Sequence, residues 1–138
     1  MKKIKFNDTN IYISKILPFK GYLAMMLFGF IIYRKEYEYQ LYDKLYINRI
    51  FKMINHENIH KEQIKDFGLP FFFFKPLQIL FGGLIFYIMY ILEWIFNIFR
   101  YGYKEAYHNI SFEREAIKNE SNLSYIPSRK HFSNYRKL

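Results

Sequence analysis

The chain has 138 residues, enough for one domain with one core and too few for two, and 21 Lys and Arg against 12 Asp and Glu leave a formal net charge of +9. With no Cys, disulfide scaffolds and thiolate metal sites are excluded, so any bound metal has to be held by His and carboxylate. Aromatic residues make up 22%, and this excess together with the positive charge predicts contact with a membrane or anionic lipid surface.

The cations argue against a nucleic-acid partner. They cluster at Lys2, Lys3 and Lys5, at Arg34 and Lys35, and at Arg129, Lys130, Arg136 and Lys137, flanking apolar stretches instead of lining one helix or arm, and no nucleic-acid-binding motif is present. Residues 1–10 are polar and the first sustained apolar run follows Pro18, so no signal peptide is expected and the predicted location is the cytoplasmic side of a membrane.

In chain order, residues 11–17 read as a short strand or irregular arm ending at Pro18. Two apolar runs then surround Gly29, over 21–28 and 30–33, and predict a two-stranded unit, with a short hydrophobic helix as the competing reading. From 39 to 67 the period becomes 3.6, with Leu41, Leu45, Ile47, Ile50, Phe51 and Ile54 as the buried stripe and Gly68 and Pro70 as the stop. A second helix is expected over 77–100, apolar nearly all the way round and interrupted by Gln78, Gly82, Gly83, Glu93 and Asn97. A third begins at Ser111 as N-cap and reaches about residue 122; the tail, 124–138, is polar, basic and aromatic. The expected class is mainly α with a small β unit, in a single domain.

The chemistry lies in His56-Glu57-Asn58-Ile59-His60, an HExxH motif in the last third of the first helix. Positions i and i+4 share a face, so both imidazoles can point at one ion while Glu57 reaches a water on it. The bland reading makes the histidines polar residues at a solvated helix end beside Lys61 and Glu62. Glu57 in register and Gln63 on the same face favour a metal site.

A catalytic zinc takes three protein ligands and a water, so a third ligand is needed from downstream, where His108, Glu113, Glu115 and Glu120 are available. Glu113 and Glu120 share a helical face, while Glu115 is turned about 200° from Glu113, so one of Glu113 and Glu115 can look into the site. Ala116 would let this helix approach the HExxH helix closely. Glu93 reads as a hydrogen-bonded core carboxylate, with a supporting role beside the imidazoles as the functional option. Tyr87, Tyr90 and Trp94 read as core or interface residues instead of substrate platforms.

An apolar β unit, a helix with HExxH followed by Gln three residues on, and a later Glu-x-x-Ala helix together resemble the minimal gluzincin-type metallopeptidases. These include membrane zinc proteases and small HExxHxxQ domains. The resemblance implies a zincin-like minimal domain, with the HExxH helix packed on the long apolar helix and on a Glu-bearing third helix. It also implies zinc held by His56, His60 and Glu113, because Glu113-Arg114-Glu115-Ala116-Ile117 matches the Glu-x-x-Ala-Asp of the membrane proteases. Ile117 stands where those proteases carry Asp, so Glu120 or Asn119 has to take over the orienting role.

The expected activity is peptide-bond hydrolysis at a membrane through a zinc-activated water, with Glu57 as general base. Tyr125, Arg129 and His108 are candidate oxyanion donors, and a strand edge would align the substrate. The alternative is a non-enzymatic membrane or assembly subunit that packs on a protein partner and holds a structural ion or none.

Residues 76–92 carry no charge, and continuing to 99 adds only Glu93, close to the length of a membrane span. A single crossing would separate His56 and His60 from Glu113. The expectation is therefore a domain helix whose outer aromatic face rests in the membrane interface.

Overall fold

The computed structural model describes residues 1–6 and 9–136; Lys137 of the C-terminal basic cluster lies outside the described residues. Four strands form one sheet in the order β1-β2-β4-β3: β1 (Lys2–Phe6), β2 (Thr9–Ser14), β3 (Ala24–Leu27) and β4 (Phe30–Arg34). β1 and β2 are antiparallel, β2 and β4 parallel, and β3 and β4 antiparallel. The expected two-stranded unit is thus half of the sheet. β1 escapes a reading of the polar N-terminus because only Ile4 and Phe6 turn inward between exposed lysines, too short an alternation to register.

The β3–β4 turn has Phe28 at φ 44° and Gly29 at φ 81°, the left-handed pair that matches strand twist in a two-residue hairpin. A phenylalanine there needs compensation, and its ring lies edge-on to Tyr87 at 5.4 Å between centroids.

The first long helix, α1, spans Ile47–Phe67 and starts later than its periodicity suggested. Residues 35–41 and 44–46 form 3-10 turns, and the Asp43 side chain accepts the Leu45 N–H at 2.9 Å, which interrupts the helix before it starts. Leu41 is buried, but Leu45 is 88% exposed, so the predicted stripe holds in α1 only from Ile50 onward. Ile50, Ile54 and Ile64 meet Ile11, Ile13, Met26, Ile31 and Tyr33 of the sheet, together with Phe86, Ile110 and Phe112, in one core. As expected, α1 stops at Gly68, whose N–H bonds the Ile64 and Lys65 carbonyls, just before Pro70.

The second, α2, spans Lys75–Tyr101 and ends at Gly102, with φ 80°. It touches α1 through Gly82 and the β3–β4 turn through Gly83: a Cβ on Gly82 would lie 2.1 Å from the Ile64 carbonyl oxygen, and one on Gly83 would meet the Phe28 ring at 2.6 Å. The residues that interrupt the hydropathy of α2 are therefore its contact points. Only Gly82, Gly83, Phe86 and Asn97 of α2 are buried, whereas Leu84, Ile88, Ile91, Leu92, Ile95, Phe96 and Phe99 are exposed along its outer side. By length and composition this helix could cross a membrane.

After the short α3 (Tyr103–Ala106), α4 runs over Ser111–Asn119, followed by the one-turn α5 (Tyr125–Ser128). Ser111 is the first helical residue and not the N-cap, a place taken by Ile110. The capping oxygens come from α2: Glu93 accepts the Ser111 N–H at 2.7 Å and its hydroxyl at 2.8 Å. A carboxylate here also suits the helix dipole. At the other end, short of the expected residue 122, the Asn55 side-chain amide of α1 donates to the carbonyls of Asn119, Glu120 and Asn122.

Gly82→Ala should destabilise the protein by roughly 1–3 kcal/mol, because its methyl group meets α1 backbone that has no room to yield. Urea unfolding measures it. A gain of about 1 kcal/mol, the ordinary helix-propensity effect, would contradict the close approach.

Candidate metal centre

α1 carries His56 and His60 one turn apart, and α4 carries Glu113. Because α4 is held at both ends by side chains of other helices, Glu113 is aimed between the imidazoles. The two Nε2 atoms are 3.1 Å apart; Glu113 Oε2 lies 3.3 Å from His56 Nε2, and Oε1 lies 3.2 Å from His60 Nε2. A tetrahedral ion with bonds of about 2.0–2.1 Å needs donors roughly 3.3–3.4 Å apart, so these three groups form one face of such a site.

Partners behind each imidazole set which nitrogen faces inward. Gln63 Oε1 sits 2.7 Å from His60 Nδ1, and since the Gln63 amide nitrogen is committed to the Phe112 carbonyl and to Glu115, its oxygen accepts and His60 Nδ1 carries the proton. Glu120 Oε2 lies 3.2 Å from His56 Nδ1 and does the same there. Both Nε2 lone pairs then converge with the Glu113 carboxylate, an arrangement that repels itself unless a cation or a proton sits among them.

Without metal, the proton serves. Burial works against charge on His60, but the Glu113 carboxylate, the Glu57 charge and the Gln63 hydrogen bond together push its pKa up to about 9. Glu113 is also buried, and the two imidazoles nevertheless hold it well below the usual carboxylate range. Glu57, on the same wall, is pushed up by burial against the opposing effect of both histidines. It accepts the Met26 N–H, while its Oε2 and Glu113 Oε2, both buried, have no hydrogen-bond partner among the described residues. His56, His60 and Glu113 thus offer a donor set that could hold a borderline metal such as zinc, with the unsatisfied Glu57 oxygen next to it.

Two tyrosines that sequence reasoning placed elsewhere or passed over complete the site. Tyr90 donates to Glu113 Oε1 at 2.7 Å, and the Tyr107 hydroxyl lies near enough to feel the Glu113 charge. Burial, then the Glu113 charge, raises both phenols, so they stay protonated. Tyr90 belongs to the site and is not a belt residue, and with Tyr87 and Trp94 it lines a cavity of about 640 Å³ against Glu57, His56, His60 and Glu113. Nothing local marks these positions among 14 tyrosines; only the α2–α4 packing selects them.

Of the other expected site residues, His108 is exposed and lines the same cavity without joining the His56, His60 and Glu113 cluster. Glu93 is the hydrogen-bonded carboxylate that the sequence suggested: it caps α4 and not the histidines. Tyr125 and Arg129 are not oxyanion donors: both bind Glu115, on the side of α4 opposite Glu113, where Arg129 also pairs with Asp66 at 2.8 Å. Gln63 joins the two sides through Glu115.

The edge of the sheet next to the site is β3. The Met26 N–H goes to Glu57 and its carbonyl accepts the Tyr87 hydroxyl at 2.6 Å, so Met26 points both backbone groups away from β4. By strand alternation Ala24 does the same two residues earlier, and it lines the cavity. A second hollow of about 230 Å³, lined by Arg49 and Lys52 among others, meets the first at Ala24, His56 and Glu57. The site therefore lies between two hollows beside β3.

Comparison with known proteins gives no significant match to a protein-family model, a curated protein or a solved structure.

Purified chain should bind one zinc, and His56→Ala, His60→Ala or Glu113→Ala should remove most of it, as elemental analysis would show. Gln63→Ala should keep the stoichiometry and weaken affinity by about 10–100-fold, as expected for a residue that orients a ligand. Wild-type protein that takes up no added zinc would refute the site.

Because metal-free His60 keeps its proton up to a pKa of about 9, zinc has to displace it at neutral pH. Titration calorimetry at pH 7.5 in buffers of different ionisation enthalpy should show about one proton released per zinc, with apparent affinity rising about tenfold per pH unit before levelling near 9. The sign for folding is opposite. The His60 pKa is raised from 6.5, so its contribution to metal-free stability is complete below 6.5 and lost as pH rises through about 9.

Proposed function

We propose that the chain is a single-domain, zinc-dependent peptidase that cleaves an extended peptide laid along β3. The observation that carries this reading is the pair of buried oxygens without a hydrogen bond among the described residues, Glu57 Oε2 and Glu113 Oε2, beside His56 and His60 in a cavity at the β3 edge, where Ala24 turns its backbone groups outward. A structural ion calls for a closed ligand shell, whereas this wall opens on a cavity and keeps a carboxylate beside the ligand set without adding it to them.

Zinc held by His56, His60 and Glu113 would supply Lewis acidity to a water and to the scissile carbonyl. The residues of the chain do the rest. Ala24 offers a backbone N–H and C=O to an antiparallel peptide, which fixes register as an added strand. Glu57 has one oxygen held by the Met26 N–H and the other free. Its upward-shifted pKa suits it to take a proton from water and return it to the leaving amine. Tyr107 keeps its phenolic proton and faces the cavity, so it stands as the oxyanion donor in place of Tyr125 and Arg129.

The test uses quenched fluorogenic peptides that vary the residues on both sides of the bond. Glu57→Gln should retain zinc and lose at least about 10²-fold in kcat. Tyr107→Phe should lower kcat by about 10²-fold with little change in KM, the signature of a contact made in the transition state. Equal turnover by wild type and Glu57→Gln would end the peptidase reading and leave the non-enzymatic subunit.

A further inference from the structure

The outer side of α2 is the largest feature that the metal site does not use. Its exposed residues, from Leu80 and Leu84 through Ile88, Ile91, Leu92, Ile95 and Phe96 to Phe99, form an apolar strip along a helix about 40 Å long. Both ends carry the same finish. Phe72, Phe73 and Phe74 precede Lys75 and are exposed, while Phe99, Arg100, Tyr101, Tyr103 and Lys104 close the other end, with the Arg100 guanidinium 5.3 Å from the Tyr101 ring. Aromatic rings beside cations at each end of an apolar strip suit the headgroup region of an anionic bilayer.

Two facts select how such a helix meets lipid. The middle of α2 is locked to α1, by Gly82 on the Ile64 carbonyl and by Phe86 against the His60 ring at 5.9 Å between centroids. A crossing would therefore carry Lys61, Glu62, Lys65 and the buried Asp66–Arg129 pair into hydrocarbon, which lying in the interface avoids. A second copy of the chain fits less well. The charged residues of α2 are Lys75, Glu93 and Arg100, and Glu93 is spent on Ser111, so either orientation of two α2 faces sets cation against cation.

We propose that the outer face of α2 docks in plane on an anionic lipid bilayer, which brings the mouth of the large cavity to the interface. The mouth lies at the C-terminal end of α2. There Tyr103, 73% exposed, packs on Trp94 at 6.1 Å between centroids, and Phe19, 72% exposed, and Lys104 share the rim. The docking stands on the fold and the charge distribution, and holds whether or not the site binds zinc.

The natural chain has no Cys, so single cysteines report cleanly. Full-length protein should float with vesicles of phosphatidylcholine mixed with phosphatidylglycerol, float less with phosphatidylcholine alone, and lose part of the binding in molar salt. Ile88→Asp should reduce flotation by about tenfold or more, whereas the same change at exposed Ile117 on α4 should not; unfolding curves of both variants establish that they are folded. Cysteines at Lys75 and Lys104, in separate variants, should both react with an impermeant maleimide added outside the vesicles, and a polarity-sensitive dye on a cysteine at Phe19 should shift to the blue on binding. No flotation, protection of one end of α2, or an unshifted dye at Phe19 would each overturn the proposal, as would a solution dimer that Ile88→Asp dissociates and that binds no vesicle.

Discussion

Placement of α4 governs this molecule. Nine residues of helix have little stability of their own, so other elements hold it. Glu93 of α2 accepts the first N–H and the Ser111 hydroxyl, Asn55 of α1 donates to the last carbonyls, and Gln63 of α1 reaches the Phe112 carbonyl from the side. Because these tethers act from two helices, they set both the height of α4 along α1 and its rotation, and the rotation decides which glutamate meets the histidines.

Rotation has a second product. Glu113 and Glu115 point to opposite sides of α4, and each is nearly or wholly buried. One enters a site whose partners are titratable imidazoles with room for an ion. The other is neutralised by Arg129, which also holds Asp66, while Asp66 further accepts the Phe132 N–H and His131 Nδ1. A buried ion pair with every carboxylate oxygen hydrogen-bonded compensates its desolvation, whereas leaving one partner alone would cost roughly 3–5 kcal/mol. Arg129 thus secures the C-terminal segment to α1, and through Glu115 and Gln63 it stiffens the hydrogen bond behind His60. The ligand set and the structural ion pair are two sides of one polar seam between α1 and α4.

Helix α2 shows the division of labour on a larger scale. Its inner side contributes Tyr87 to β3, Tyr90 to Glu113 and Glu93 to α4, and its Gly82 admits α1 backbone. Between the terminal cations Lys75 and Arg100, its outer side carries hydrocarbon and aromatic rings. Averaged over both faces the helix reads as a continuous apolar run. Resolved in three dimensions it is an amphipathic support whose polar side chains happen to face protein.

Several features were legible from residue order alone. The HExxH helix and its stop at Gly68, the β3–β4 pair around Gly29 and the extent of α2 rest on local periodicity, turn chemistry and helical geometry, which neighbours along the chain determine. The same geometry leaves Glu113 and Glu115 as alternatives, and Glu113 is implied only by the resemblance. β1, the late start of α1, the α4 cap, the work of Tyr90 and Tyr107, and the diversion of Tyr125 and Arg129 to Glu115 were not legible. Each depends on which distant backbone or charge a side chain meets: Lys-flanked Ile4 becomes a strand residue only beside β2, and Glu93 becomes a cap only where α4 begins. Residue order determined which groups could bind a metal, because spacing on one helix is a local property. Tertiary structure alone decided which of them share a cavity, because that depends on how α1, α2 and α4 pack.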